Sequence, residues 1–348
     1  MESELRLAFF IFFIPARANI FEATFLFMKQ LFSLLLLYVL FSSCRKDLLH
    51  WQSVEQIKVA GNPQLNNAIF LPNGLGIVCG GWRFDPAVIL ISTDKGISWQ
   101  KKEMPDNTKG LFGACVSPDN TLYFSGMYMN LCSSNDGMSN YKYDALSGRE
   151  EFISAISFGE NQQGVGVTAL GTDSGAIIRF DASHQLLSFK RFKNALWDIK
   201  MLNARKGIAV GSGIVMLTKD GGINWEHLAV IGDNFNSISA IDSNTIYVSG
   251  LSGTIAKTED GGKSWKRLRN GSNITLPNYQ LWDLLFVSNQ KGYAVGEKGM
   301  LIYTDDGGEH WMEFDKFTTD NLRFISLCPD GKLLVGGENG SLYRLQTK

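Results

Sequence analysis

Two Trp-Asp pairs, Trp197-Asp198 and Trp282-Asp283, concentrate the reactive and recognition-prone residue types of this sequence. Two carboxylates facing one another are what hydrolysis of a glycosidic bond needs, one to protonate the leaving oxygen and one to attack or to activate water. Asp198 and Asp283 are the candidate catalytic pair on that reading, while the reading in which each Trp packs and each Asp holds a turn stays open. Trp82 and Arg83, in the turn-rich run Gly81-Trp82-Arg83-Phe84-Asp85-Pro86, are of the types that anchor binding surfaces. The four histidines, His50, His184, His227 and His310, are scattered singly, and no His/Cys spacing fits zinc or haem, so no metal and no cofactor is expected. Cys79, Cys115, Cys132 and Cys328 sit in strand-like runs and read as small buried apolar residues. A net charge of −1 over 348 residues gives no bulk electrostatic attraction to nucleic acid.

What must position these side chains is a repeat. Thr304-Asp305-Asp306-Gly307-Gly308-Glu309-His310-Trp311 reads T-x-D-x-G-x-x-W, and the pattern recurs at Asp260, Gly262 and Trp265, at Asp220, Gly222 and Trp225, and as a serine version at Asp94, Gly96 and Trp99. The Asp can accept backbone N–H groups inside a tight turn, the Gly supplies a backbone angle other residues resist, and the Trp is a large apolar wedge. Each copy lies between two β-like runs, so it reads as a hairpin turn with a structural role. Degenerate copies are Ser133-Ser134-Asn135-Asp136-Gly137, with Asn135 in the Asp position, and Asp181-Ala182-Ser183.

Upstream of each turn a second signature marks two more strands, as in Leu281 to Val287 followed by Gly292-Tyr293-Ala294-Val295-Gly296. The turn Asp residues are 40 residues apart (Asp220 to Asp260), 46 (Asp260 to Asp306) and 126 (Asp94 to Asp220), which is three times 42. Four short strands per repeat of this length make a propeller blade. The 298 residues from Trp51 onward fit seven blades. The last repeat ends in a third strand, while His50-Trp51-Gln52-Ser53-Val54 matches His310-Trp311-Met312-Glu313-Phe314. The expectation is an all-β, single seven-bladed propeller over residues 51–348, closed by an N-terminal strand that completes the last blade. The aligned blade openings then are Asn66, Phe112, Ser154, Trp197, Asn236, Trp282 and Arg323. The face they share with the b–c loops is the expected binding face, with Trp82, Arg83, Phe112, Trp197, Asp198, Asn236, Trp282, Asp283 and Arg323 as candidate contacts. Two longer loops, 270–279 and 142–150, are further candidates.

These turns resemble the Asp-box, or BNR, repeat of sialidases, sortilins and xyloglucanases. Over about residues 50–348 the chain is similar to the photosystem II stability/assembly factor-like propellers. That resemblance implies a non-catalytic scaffold with an assembly or binding role; the expected partner is a protein or glycan on the face opposite the boxes, with no nucleic acid, and the chain is expected to be a monomer. The sialidase arginine triad is not matched, since only Arg323 opens a blade and Arg83 lies in a loop. The second propeller of the xyloglucanases is absent too, so a glycoside hydrolase is the alternative and not the main reading.

Residues 1–43 read as a leader, with Met28 as the expected true start. Lys29, the apolar run Leu31 to Phe41, then Ser42-Ser43-Cys44 resemble a bacterial lipoprotein signal. The expectations are lipid on Cys44, a short tether over 44–50, and a propeller anchored in the bacterial cell envelope, periplasmic or on the outer membrane.

Overall fold

A computed structural model of the protein describes Met28 and residues 48–105, 107–171, 173–230, 234–270 and 278–347. The leader, Cys44 and most of the 270–279 loop lie outside the described residues, and no described helix is long and apolar enough to cross a membrane. The described chain forms seven four-stranded antiparallel sheets in a propeller, the architecture expected from the repeat. In blade one strands a to d are Leu65–Phe70, Gly76–Gly80, Val88–Ser92 and Gln100–Lys102. In blade six they are Leu281–Phe286, Gly292–Gly296, Leu301–Thr304 and Met312–Glu313.

Composition follows position along each blade. Every residue of strand b in blades one and six is buried, because that strand has a neighbouring blade against each face, and its run is apolar throughout. The outer strands are polar and largely exposed, as in Gln100–Lys102. In six of the seven blades strand b ends on glycine, Ala169 of blade three being the exception, for a steric reason: a Cβ on Gly296 would lie 2.1 Å from the carbonyl oxygen of Gln280, which leads into strand a. The core lies in layers between blades. Tyr247 and Ile255 of blade five pack with Leu284, Ala294 and Ile302 of blade six.

The turn motif works as its residue types imply. Thr218 Oγ1 donates to Asp220 Oδ1 over 2.9 Å and accepts the Gly222 N–H at 3.0 Å. Asp220 accepts the backbone N–H and the side-chain amide of Asn224, each at 2.8 Å. Trp225 Nε1 donates to the Gly222 carbonyl at 3.0 Å, and the indole wedges against Val165, Val167 and Ile177 of blade three. Asp94, Asp260 and Asp306 repeat the pattern on Ser98, Ser264 and His310. Gly308 has φ 95°, and a Cβ there would meet Leu268 Cδ1 at 2.6 Å. The backbone N–H of Asn224 is the main cause that holds Asp220 below the usual carboxylate range. Replacing Asp220 by Ala should therefore cost about 1–2 kcal/mol of stability. Because the folded value is depressed, that contribution is present above about pH 4 and is lost as pH falls through the folded value. Chemical denaturation of wild type and Asp220→Ala at pH 7 and pH 2.5 checks both statements: the difference should shrink in acid.

The blade-two turn corrects the expected register. Asp136, not Asn135, stands in the Asp position: Ser134 Oγ donates to Asp136 Oδ1 at 2.9 Å, and Asp136 accepts the Asn140 N–H at 2.9 Å. Met138 takes the left-handed conformation (φ 72°) usually left to glycine, and Tyr141 packs in the inter-blade layer where the Trp would be. In blade three Asp181 holds a shorter turn through the N–H groups of Ser183 and Gln185, both at 2.9 Å.

Ring closure is as expected. Trp51–Gln56 pairs antiparallel with Leu342–Thr347 and forms the outer strand of blade seven. Trp51 stacks on Phe314 with ring centroids 3.8 Å apart and donates from Nε1 to the Asp315 carbonyl at 3.0 Å. Leu49 exchanges backbone hydrogen bonds with Glu313 and Asp315, both 2.9 Å, so this segment joins blade six as well as blade seven. Glu55 adds ion pairs to Lys332 at 2.7 Å and to Arg344 at 3.4 Å. The four described cysteines are free; Cys79, Cys132 and Cys328 are buried and Cys115 is half-buried.

Candidate protein-binding face

The seven aligned blade openings share one local feature. In every blade the a–b pairing skips one residue, and the skipped residues are Asn66, Phe112, Ser154, Trp197, Asn236, Trp282 and Arg323. Each is a β-bulge. A bulge twists the strand and re-aims a side chain.

These seven positions alternate in chemistry. In the odd blades one, three and five the residue is small and polar and bonds to the next blade. Asn66 donates to Leu111 O at 2.7 Å, Ser154 to Leu196 O at 2.8 Å and Asn236 to Leu281 O at 2.8 Å. In blades two, four and six it is aromatic: Phe112, Trp197, Trp282. An odd number of blades cannot close such an alternation, and blade seven carries Arg323. Its guanidinium lies 4.0 Å above the Trp282 ring and pairs with Glu338 at 2.5 Å. Trp197 donates to Ser212 Oγ at 3.2 Å. Phe112 and Trp197 are linked by Phe152, at 5.1 Å and 6.3 Å between centroids.

Asp198 and Asp283 are used between blades. Asp198 Oδ2 accepts the Ile238 N–H of blade five at 2.7 Å, and Oδ1 accepts the Ile199 N–H at 2.7 Å. Asp283 Oδ2 accepts the Ile325 N–H of blade seven at 2.9 Å, while Oδ1 takes the Ser237 hydroxyl at 2.7 Å and the Leu284 N–H at 2.8 Å. Burial, with the neighbouring Asp283 adding to it, pushes the Asp198 carboxyl up to about 7. Burial raises Asp283 as well. All four carboxylate oxygens thus accept bonds that join or order blades.

The exposed aromatic side chains among the b–c loops lie on blades one and two, while Leu170 and Leu251 are exposed on those of blades three and five. Phe84, 59 % exposed, stands beside Trp82, 44 % exposed, and the Arg83 guanidinium sits 5.1 Å from the Trp82 ring. Tyr128 of blade two is 40 % exposed, with its ring 6.0 Å from Phe84. Left-handed backbone at Tyr128 (φ 56°) is a feature of the repeat, since Ser252 (φ 58°), Lys298 (φ 55°) and Asn339 (φ 55°) take it at the equivalent b–c position, whereas Arg83 (φ 26°) takes a positive φ in the longer loop of blade one. Trp82 and Arg83 were legible as candidates. Phe84 and Tyr128 were not, because their exposure depends on the loop conformation.

A further arrangement joins blades two and three. His184 lies buried between Ser133 and Asp144: Nε2 is 2.8 Å from Ser133 Oγ and Nδ1 is 3.0 Å from Asp144 Oδ2. Burial, with Lys142 adding to it, holds the imidazole below its usual range and so favours the neutral ring. A neutral ring here orients both partners, one nitrogen donating and the other accepting. Ser133 and His184 are both buried, so the trio is built as an inter-blade contact and not as an open nucleophilic site. A group of three or more His, Cys, Asp or Glu placed to hold a metal is absent among the described residues.

Comparison with known proteins agrees with this architecture. Residues 183–277 and 230–302 match the family model described as photosynthesis system II assembly factor YCF48. The chain resembles the photosystem II assembly-factor propellers. The chloroplastic photosystem II stability/assembly factor HCF136 of Arabidopsis thaliana is 23 % identical over 222 residues, 62 % of this chain and 48 % of that protein. The chain thus spans about half the length of the curated relative it matches. The solved structure of YCF48 from Cyanidioschyzon merolae superposes with a TM-score of 0.66 at 17 % identity, covering 84 % of this chain and 98 % of that one. A structure of YCF48 bound to a D1 peptide gives 0.67 at 16 % identity, covering 87 % and 98 %. At these identities the superpositions speak for the propeller fold alone; streptogramin B lyase superposes as well, with a TM-score of 0.69 at 11 % identity over 85 % of this chain and 98 % of that one.

Proposed function

We propose that this assembly-factor-like propeller is a non-catalytic scaffold that binds a protein partner through the face opposite the Asp-boxes. The observation that carries the reading is the exposed aromatic cluster of Trp82, Phe84 and Tyr128 on adjoining loops. Aromatic side chains exposed together supply much of the binding energy at protein interfaces. The peptide-bound YCF48 favours a protein ligand over a glycan. Catalysis is disfavoured because Asp198 and Asp283 already accept inter-blade hydrogen bonds. The purified protein should turn over neither sialosides nor xyloglucan; turnover abolished by Asp198→Asn or Asp283→Asn would establish the glycosidase instead.

The binding test uses displayed random twelve-residue peptides selected on the full-length protein. Selected peptides should lose at least tenfold affinity for the Phe84→Ala/Tyr128→Ala variant. They should keep it for Ile97→Ala/Ile223→Ala, where two exposed side chains of the box face are removed. The opposite pattern would move the binding surface to the box face.

We further propose that a lipid on Cys44 tethers the domain in the cell envelope, as the apolar run Leu31 to Phe41 before Cys44 suggests. Only residues 45–50 would separate that lipid from Trp51, a reach of about 20 Å when fully extended. Trp51 begins an outer strand at the end of the blade that carries the boxes. The tether then turns the aromatic loops away from the bilayer. Labels placed at Gly261 on membrane-bound protein should be more shielded than labels at Arg83; equal labelling, or protein recovered in the soluble fraction, would contradict the tether.

A further inference from the structure

The segment 57–64, which crosses from the outer strand of blade seven to strand a of blade one, overhangs a cleft of about 540 Å³ on the flank of blade one. The floor is apolar: Val88 and Leu90, both buried, come from strand c. Trp82 stands at the cleft, so the cleft adjoins the exposed aromatic loops. Its charged lining is Lys58 and Lys101 against Asp85. Both lysines are exposed, and among the described residues Lys101 pairs with Glu103 on the surface at 3.3 Å. Such a pairing is worth little, so Lys101 can exchange it for a ligand carboxylate at small cost. An apolar floor with a net cationic wall and a neighbouring indole is complementary to one kind of segment.

We propose that this cleft takes an extended peptide segment of the partner in which an apolar side chain is followed by acidic residues. The apolar side chain rests on Val88 and Leu90, the acidic groups face Lys58 and Lys101, and the flanking residues run over Trp82. This deepens the protein-binding reading and rests on it. The aromatic loops supply contact area, and the cleft selects the sequence. Charge at the wall chiefly sets specificity and association rate, so the preference weakens as salt rises.

The test uses the same displayed twelve-residue peptides, selected on the full-length protein and resynthesised with a fluorescent label for anisotropy. Enriched peptides should carry an apolar residue next to Asp or Glu. Exchanging those acids for Lys, or using the Lys58→Glu/Lys101→Glu protein, should weaken binding at least tenfold. The thermal midpoint of that variant should stay near that of wild type, since both side chains lie on the surface. Enriched peptides without acids, or affinities indifferent to Lys58 and Lys101, overturn the proposal. If such peptides still lose affinity to Phe84→Ala/Tyr128→Ala, the cleft assignment has failed and the face reading stands. If they depend on Ile97 and Ile223 instead, both have failed.

Discussion

Replacing Trp51 by Ala should lower the free energy of unfolding by about 3 kcal/mol, among the larger effects available to a single substitution in this fold. The indole stacks on Phe314, donates to the Asp315 carbonyl and packs in the layer built from Tyr293, Leu301 and Tyr343. Truncation removes partly buried apolar area and leaves a cavity at the seam where the first and last described strands meet, a junction without a hairpin between its strands. Pairing of Trp51–Gln56 with Leu342–Thr347 also covers an otherwise open sheet edge. The variant should therefore self-associate more readily than wild type. Urea denaturation with light scattering checks both outcomes, and a loss under 1 kcal/mol with no change in association would mean the seam is held elsewhere. Trp51→Phe should recover most of the stability, because the ring stack is kept and only the hydrogen bond to Asp315 is lost.

The second large effect is a pH dependence of unusual sign for an aspartate. The folded-state value of Asp198 is raised to about 7 by burial. The folded protein therefore holds a proton that the unfolded chain has released above about pH 4. The favourable contribution is complete below pH 4 and is lost as pH rises through about 7. Over that span wild type should lose on the order of 2–4 kcal/mol relative to a protein that cannot ionise there. Asp198→Asn supplies the comparison. Its amide nitrogen meets an N–H donor at Ile199 or Ile238, so it starts less stable, but the gap to wild type should narrow as pH climbs from 4 to 8. A gap that stays constant would show that Asp198 is ionised throughout. Asp94, held near 2 chiefly by the Ser98 hydroxyl and N–H, acts with the opposite sign and in a separate window: its contribution is present above about pH 4 and fades only below it.

The architecture was legible because it is periodic. Four clear T/S-x-D-x-G-x-x-W turns, the recurrent Gly at the end of strand b and the match of Trp51 to Trp311 were enough for blade number and closure. Each of these depends on local turn chemistry or steric fit, as Gly296 against the Gln280 carbonyl illustrates. The candidate face was legible in part. The seven aligned openings were identifiable, but not as bulges, since a bulge is a relation between two strands and leaves no mark in either one alone. Oδ2 of Asp198 and of Asp283 each accepts a backbone N–H about one repeat away in sequence, in a neighbouring blade. His184 looked solitary because its partners Ser133 and Asp144 belong to blade two, and its own turn had lost the motif. In blade two Met138 occupies a backbone conformation that glycine usually takes, so the motif was read one residue out of step.

The claim on which the account turns is that the loop face, and not the box face, meets the partner. Site-specific photo-crosslinking in cells that make the protein tests it most directly, with a benzophenone amino acid placed at Phe84 or Tyr128 on one face and at Ile97 or Ile223 on the other. All four side chains are exposed, so reactivity reports proximity to a partner and not access of the probe. Discrete protein adducts are expected from Phe84 and Tyr128 and none from Ile97 or Ile223. Adducts from Ile97 and Ile223 with none from the aromatic loops would contradict that claim.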